Sequence, residues 1–147
     1  MVQVQRSFPV SVSMDRVVEY LKDFTHAEAW DPGTKSCTRH GTGAIAVGSS
    51  WHNVSEFRGR ETELEYELVR LDADHLTFVG KNKTATSTDD MAFSADGDRT
   101  SITYQATIEF HGLAKLAGPL LGREFEKLGD EVVTTMTRVL EGLPTGG

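Results

Sequence analysis

A single cysteine, Cys37, excludes an internal disulfide and fits a reducing compartment. Long apolar runs are missing as well. No stretch approaches the roughly 18 apolar residues of a membrane span, and the opening MVQVQRSFPV has no apolar core of signal-peptide length. The expectation is a cytoplasmic protein with no stable membrane insertion. The sequons Asn53-Val54-Ser55 and Asn82-Lys83-Thr84 then carry no weight, because such a chain meets no glycosylating compartment. Basic charge is short too, 15 Lys and Arg against 22 Asp and Glu, and a net charge of −7 attracts no polyanion. The nearest thing to a basic patch, Arg58 and Arg60, is flanked by Glu56, Glu61 and Glu63, so no nucleic-acid partner is expected. Repeats, low-complexity tracts and linkers are absent.

What remains is ordinary: 38% apolar and 25% charged residues, as in a soluble globule. One domain over residues 1–141 is expected, with a flexible tail at 142–147 (GLPTGG). A chain of this size buries about two-thirds of its unfolded surface, enough for a core.

Val2, Val4 and Phe8 alternate with polar residues as a half-buried strand does, and Arg6 shares their parity. SVSMDRVVEYLKDF then reads as a helix, with Ser13 placed to cap it. THAEAW adds a helical turn capped by Thr25, ended by Asp31-Pro32-Gly33. From residue 36 to 111 the chain reads as six strands and their turns. In RETELEYELVRL, Thr62, Leu64, Tyr66 and Leu68 take one face and Glu61, Glu63, Glu65 and Glu67 the other. Gly118-Pro119 suits the start of a final helix, whose stripe is Leu121, Phe125, Leu128, Val132, Met136 and Val139. The predicted class is α+β: strand, two short helices, six strands and a long helix. Tight sequential turns imply an antiparallel meander, and its apolar face needs a cover that only the C-terminal helix is long enough to supply. A twisted seven-stranded sheet curves around such a rod and leaves room between them.

That order of elements, with FTHAEAWDPGTKS, VGSSW, FRGRETELEYEL and GLAKLAGPLLGREFEKLG at their places, resembles the START-like or SRPBCC superfamily. Within it the chain looks most similar to the polyketide cyclase/dehydrase and lipid transport group, over Val2 to about Leu140. The resemblance implies the helix-grip fold and a deep cavity for an apolar or amphipathic small molecule. Because the superfamily also holds aromatase/cyclases and ring-hydroxylase subunits, it does not fix an activity. No catalytic motif of those enzymes carries over.

Several local patterns read as structure. His26-Ala27-Glu28 has the His-x-Glu form of zinc deaminases, but the two further thiolates those enzymes need are missing. His26 and Glu28 are expected to face solvent and Trp30 to turn inward or cap the cavity mouth, and no metal and no cofactor is expected. Gly41 to Ala46 matches a dinucleotide fingerprint, but a strand follows it where a helix N-terminus is required. It reads as a hairpin near the cavity entrance. The glutamate row reads as a solvated face balanced by Arg58, Arg60 and Arg70.

The inward parity supplies the candidate ligand-binding residues. Trp30, Trp51, Asn53 and Ser55 come first in the chain, then Leu64, Tyr66 and Phe78. Asp89, Met91, Phe93 and Tyr104 follow on later strands, and Phe125, Leu128 and Val132 on the last helix. Inward polar groups need partners. Asp89 either sits near a strand end in water or lies in the pocket, where pairing with Arg6 would keep it ionised and isolation would raise its pKa. Asp89, Tyr66 and Tyr104 are the only catalytic candidates. In the long helix, Gly129 leaves space for a ligand or for a close strand.

The leading expectation is a carrier of a small hydrophobic or amphipathic molecule. The alternatives are a polyketide cyclase/aromatase-like enzyme and a protein-interaction domain. The sequence leaves oligomeric state and ligand identity open.

Overall fold

The computed structural model describes residues 1–57, 59–112 and 122–144. Seven antiparallel strands, β1 (Val2–Val10), β2 (Thr34–His40), β3 (Ser50–Phe57), β4 (Arg60–Asp72), β5 (His75–Lys81), β6 (Ala85–Asp96) and β7 (Arg99–Phe110), form one sheet. Its order, β1-β7-β6-β5-β4-β3-β2, is a meander with the first strand added beside the last. Helix α1 (Met14–Leu21), a 3-10 turn (Phe24–His26) and α2 (Ala27–Trp30) lie between β1 and β2, and α3 (Gly122–Glu141) closes the chain. The α+β architecture expected from the pattern, and the helix-grip fold implied by the resemblance, are the ones observed. The predicted start of the last helix at Gly118-Pro119, its first stripe residue Leu121, and Arg58 fall outside the described residues. No described helix is long and apolar enough to cross a membrane.

Period-two burial holds along most strands: β6 alternates buried and half-buried residues from Ala85 to Phe93, and β4 buries Leu64, Tyr66 and Leu68. A bulge between Leu68 and Arg70 breaks that alternation, so that Val69 and Arg70 are both exposed and Leu71 is the next half-buried residue. On α3 the fully buried line is Phe125, Gly129, Val132, Met136 and Leu140. It ends on Leu140 rather than Val139, following the contact of α3 with β1 and α2.

Two details differ from the sequence reading. Asp23, not Thr25, caps the second helical segment, its carboxylate accepting from the Thr25 amide at 3.0 Å. The same carboxylate accepts from Trp51 Nε1 at 3.2 Å, tying the cap to the core. The glutamate row is met by Lys35, His40 and His52 of the neighbouring strands, while Arg70 turns to Asp72. β2 and β3 run beside β4 in register and bring their bases to the row.

Gly129 is where helix and sheet touch. A Cβ there would lie 2.6 Å from Val4 Cγ2, so the missing side chain sets the separation of α3 and β1. Gly129→Ala is expected to cost about 1–3 kcal/mol by overpacking, read from urea midpoints. Among the described residues a Cβ at Gly122 meets nothing within 4 Å, and Gly122→Ala should change stability by no more than about 0.5 kcal/mol. Equal effects would remove the close-approach explanation.

Candidate functional site: a cavity between sheet and helix

Because α3 packs along β1 and α2, among the described residues the concave sheet is not fully closed in front of the N-terminal half of α3. A cavity of about 240 Å³ opens there. Its apolar walls come from Leu64, Ala106, Ile108 and Phe110 of the sheet and from Phe125, Leu128 and Val132 of the helix. The exposed residues Glu56, Thr62 and Thr84 form its rim, at the end where the β3–β4 and β5–β6 turns lie. The loop at 41–49 joins the opposite end of β3, roughly 20 Å along that strand. It therefore does not border the entrance, contrary to the sequence expectation. At the far end, Met136 and Leu140 belong to a solid core with Val10, Phe93 and Ile102.

Two polar groups interrupt the apolar walls. In the first, Tyr104 OH donates to Asp89 Oδ1 at 2.5 Å, and Tyr66 OH donates to Ser87 Oγ at 3.1 Å. Asp89 sits in the middle of β6, only 5% exposed, and faces the cavity, while Asp90 points the other way to His75 and Thr77. Burial is the main cause that pushes the Asp89 carboxyl up to about 7, with the donated hydrogen bond from Tyr104 opposing it. Burial also raises the Tyr66 and Tyr104 phenols well above their ordinary range, and the nearby Asp89 charge adds to this. Arg6 is not the partner of Asp89. Its guanidinium binds Glu126 at 2.6 Å and Asp130 at 2.8 Å on α3.

The second polar group is a chain of hydrogen bonds. Ser55 Oγ donates to Asn53 Oδ1 at 2.6 Å, Asn53 Nδ2 to Thr34 Oγ1 at 3.4 Å, and Thr34 Oγ1 to Asp31 Oδ2 at 2.8 Å. The Gly33 amide donates to the other Asp31 oxygen at 3.1 Å. Burial raises the Asp31 carboxyl above its usual range, with those donors opposing. A backbone bond from the Glu56 amide to Gly33 O, 2.8 Å, holds this corner against β3 and so places Asp31 on the cavity wall.

Of the residues predicted from parity, Ser55, Leu64, Tyr66, Asp89, Tyr104, Phe125, Leu128 and Val132 line this cavity. Trp30, Trp51, Asn53, Phe78, Met91 and Phe93 are buried but lie outside its lining. The aromatic members stack on one another: Phe24 touches Trp30, Trp51 and Phe78, and that cluster fills the sheet's other half. Parity marks the face of a strand but not the position along it, and half of each inward face is solid core.

Asp31 went unmarked as a site residue because its Pro-Gly context reads as a helix stop. Gly80 is also informative only in space. It pairs with Tyr66 across β4 and β5, and a Cβ there would lie 2.6 Å from the ring. The missing side chain lets the phenol lie over the sheet with its hydroxyl at Ser87.

The other sequence patterns are corners. His26 stacks on Tyr20 with ring centroids 4.0 Å apart, and its Nδ1 lies 2.7 Å from Tyr20 O. Glu28 is exposed, yet its carboxylate accepts from the Cys37 amide at 2.7 Å, pinning α2 to β2. Trp30 is fully buried, as expected. Burial holds the Cys37 thiol at about 12, so it is no nucleophile near neutral pH.

Comparison with known proteins agrees with this geometry. A START superfamily protein from Mycobacterium smegmatis superposes with a TM-score of 0.70 at 16% identity, over 95% of this chain and 94% of that one. The Zhui aromatase/cyclase from Streptomyces sp. R1128 matches with a TM-score of 0.71 at 12% identity, over 95% and 91%. A STAR-related lipid transfer protein (fragment 25–204) from Xanthomonas axonopodis matches with a TM-score of 0.72 at 12% identity, over 94% and 85%. No curated protein matches in sequence. At these identities the likeness is one of fold. The family model described as polyketide cyclase / dehydrase and lipid transport, however, matches residues 1–143, and the chain belongs to that family.

Proposed function

We propose that the protein binds one small amphipathic molecule in the cavity between the curved sheet and α3. The observation that carries this reading is an apolar hollow with a hydrogen-bonded polar cluster, Asp89, Tyr104, Tyr66 and Ser87, built into its wall. Apolar walls supply affinity at about 25 cal/mol per Å² buried, before ordering costs. The polar cluster orients the guest. At about 240 Å³ the hollow lies just below the ~300–1,000 Å³ usual for drug-sized ligands, which favours a compact guest. Membership of a family described by polyketide cyclisation and lipid transport supports the same reading.

Native mass spectrometry after gentle purification, together with a thermal-shift screen of small lipids and polyphenols, tests the proposal. Ala106, which lines the cavity opposite Asp89, offers the control. Ala106→Phe should fill the hollow and lower affinity for any ligand found by about 5- to 150-fold, since overpacking costs of about 1–3 kcal/mol fall on the bound state. Unchanged affinity would place the ligand elsewhere.

One observation favours a second reading, a cyclase-like enzyme. A buried carboxyl near pH 7 in contact with a phenol can give or take a proton in the physiological range. In that case Asp89→Asn should abolish turnover of a poly-β-ketone while leaving its binding measurable, whereas a carrier shows a change in affinity alone.

A further inference from the structure

The described residues that line the cavity carry three carboxyl groups, Asp31, Glu56 and Asp89, and no lysine, arginine or histidine. Glu56, at the rim, has Lys35 at 3.2 Å. The two inner carboxyls are met by neutral donors: the Thr34 hydroxyl and Gly33 amide at Asp31, and the Tyr104 hydroxyl at Asp89. Arg6, the cation that shares the inward parity of β1, is held by Glu126 and Asp130.

The same space is walled by aromatic rings, Tyr66, Tyr104, Phe110 and Phe125. A ring face attracts a cation through its quadrupole, most strongly where water is excluded. A buried carboxylate is stabilised by an opposite charge and destabilised by a like one. We infer, on the reading that this cavity holds a ligand, that it selects amphiphiles whose polar end is an organic cation, an ammonium or protonated amine, over those ending in carboxylate, sulfate or phosphate.

The pH dependence follows from what surrounds Asp89. Tyr66 faces it from β4, Tyr104 from β7, Asp31 from the turn after α2, and Glu56 stands at the β3 rim. The residues paired with it in the sheet, Phe78 and Ala106, do not titrate, and β1 and α3 contribute only apolar lining. The phenols stay protonated throughout the neutral range. Protonation of the carboxyls as the pH falls removes the attraction, so affinity for a cation rises from about pH 5.5 to pH 8. Affinity for an anion falls over the same interval, and a neutral ligand is indifferent.

Isothermal titration of the full chain with octyltrimethylammonium, 1-octanol and octyl sulfate tests this, because the three share a tail and their heads do not titrate. Near pH 8 the ammonium should bind about tenfold more tightly than the alcohol, and the sulfate more weakly than the alcohol. Lowering the pH to about 5.5 should erode the ammonium's advantage about fivefold or more. In Asp89→Asn that advantage should fall below about threefold. Equal binding of ammonium and alcohol, or preference for the sulfate, overturns the charge selectivity while leaving the cavity reading intact. Failure of all three to bind overturns both. If Asp89→Asn does not fold, the order of heads and its pH slope in the unaltered protein decide the matter.

Discussion

Trp51→Ala is expected to lower stability by about 3–5 kcal/mol, the range for emptying a large aromatic site in a core. The side chain is fully buried and makes edge contacts with Phe24 at 6.1 Å and Phe78 at 5.7 Å. Its indole nitrogen also donates to Asp23, the residue that caps the second helical segment. Truncation therefore opens a cavity and removes a donor from a half-buried carboxylate. Trp51→Phe separates the two effects. It retains most of the apolar volume, so a loss of about 1–2 kcal/mol reports the Asp23 bond. In a chain of this length each kcal/mol moves the melting temperature by about 2–4 °C, so Ala should lower it by roughly 6–20 °C. A loss below about 1 kcal/mol for Ala would mean that this half of the sheet is not the solid part of the core.

That aromatic cluster also shows where sequence reading works. The strands of β4, β6 and β7 are legible because one face is buried and the other wet, which imposes strict alternation on Leu64, Tyr66 and Leu68 and on Ile102, Tyr104 and Ala106. The long helix is legible for the same reason at period 3.6. Capping was less legible. Asp23 and Thr25 are equally good cap residues, and the choice depends on Trp51, 28 residues away, sharing the Asp23 carboxylate.

The site was half legible. Parity marks Trp51, Phe78 and Tyr104 alike as inward. Only the three-dimensional arrangement divides the inward face into a packed half, where Phe24 and Trp30 fill the space, and an open half in front of Phe125. Asp31 joins Asp89 through the course of the α2–β2 turn, anchored by the backbone bond between Glu56 and Gly33. No spacing in the sequence encodes that. Arg6 and Asp89 illustrate the converse. They share an inward parity, yet β1 leans on α3, so the guanidinium finds Glu126 and Asp130 first.

The protein should lose stability as the pH rises from about 4 to 7, and Asp89→Asn should lose much less. The carboxyl of Asp89 titrates at about 7 in the fold against an ordinary value of 3.8. Between those values the folded chain holds a proton that the unfolded chain has released, so stability falls as the pH rises through the interval. Below about pH 4 both states are protonated and the contribution vanishes; above about pH 7 it reaches its full size, about 4 kcal/mol. Asp31, also raised by burial, acts in the same direction. The depressed carboxyls of Asp23 and Glu65 act in the opposite one, but at acid pH, where their protonation removes stability. Urea denaturation across pH should therefore show a maximum near about pH 4 and a limb that declines to about pH 7. Asn keeps an oxygen to accept from Tyr104 and cannot ionise, so it should lift that limb and leave the acid side unchanged. A limb of the same slope in both proteins would place the titrating group elsewhere. A cation in the cavity supplies the charge that the fold withholds from Asp89, so saturating octyltrimethylammonium should flatten the limb in the unaltered protein as the substitution does, linking ligand choice and stability through one carboxyl.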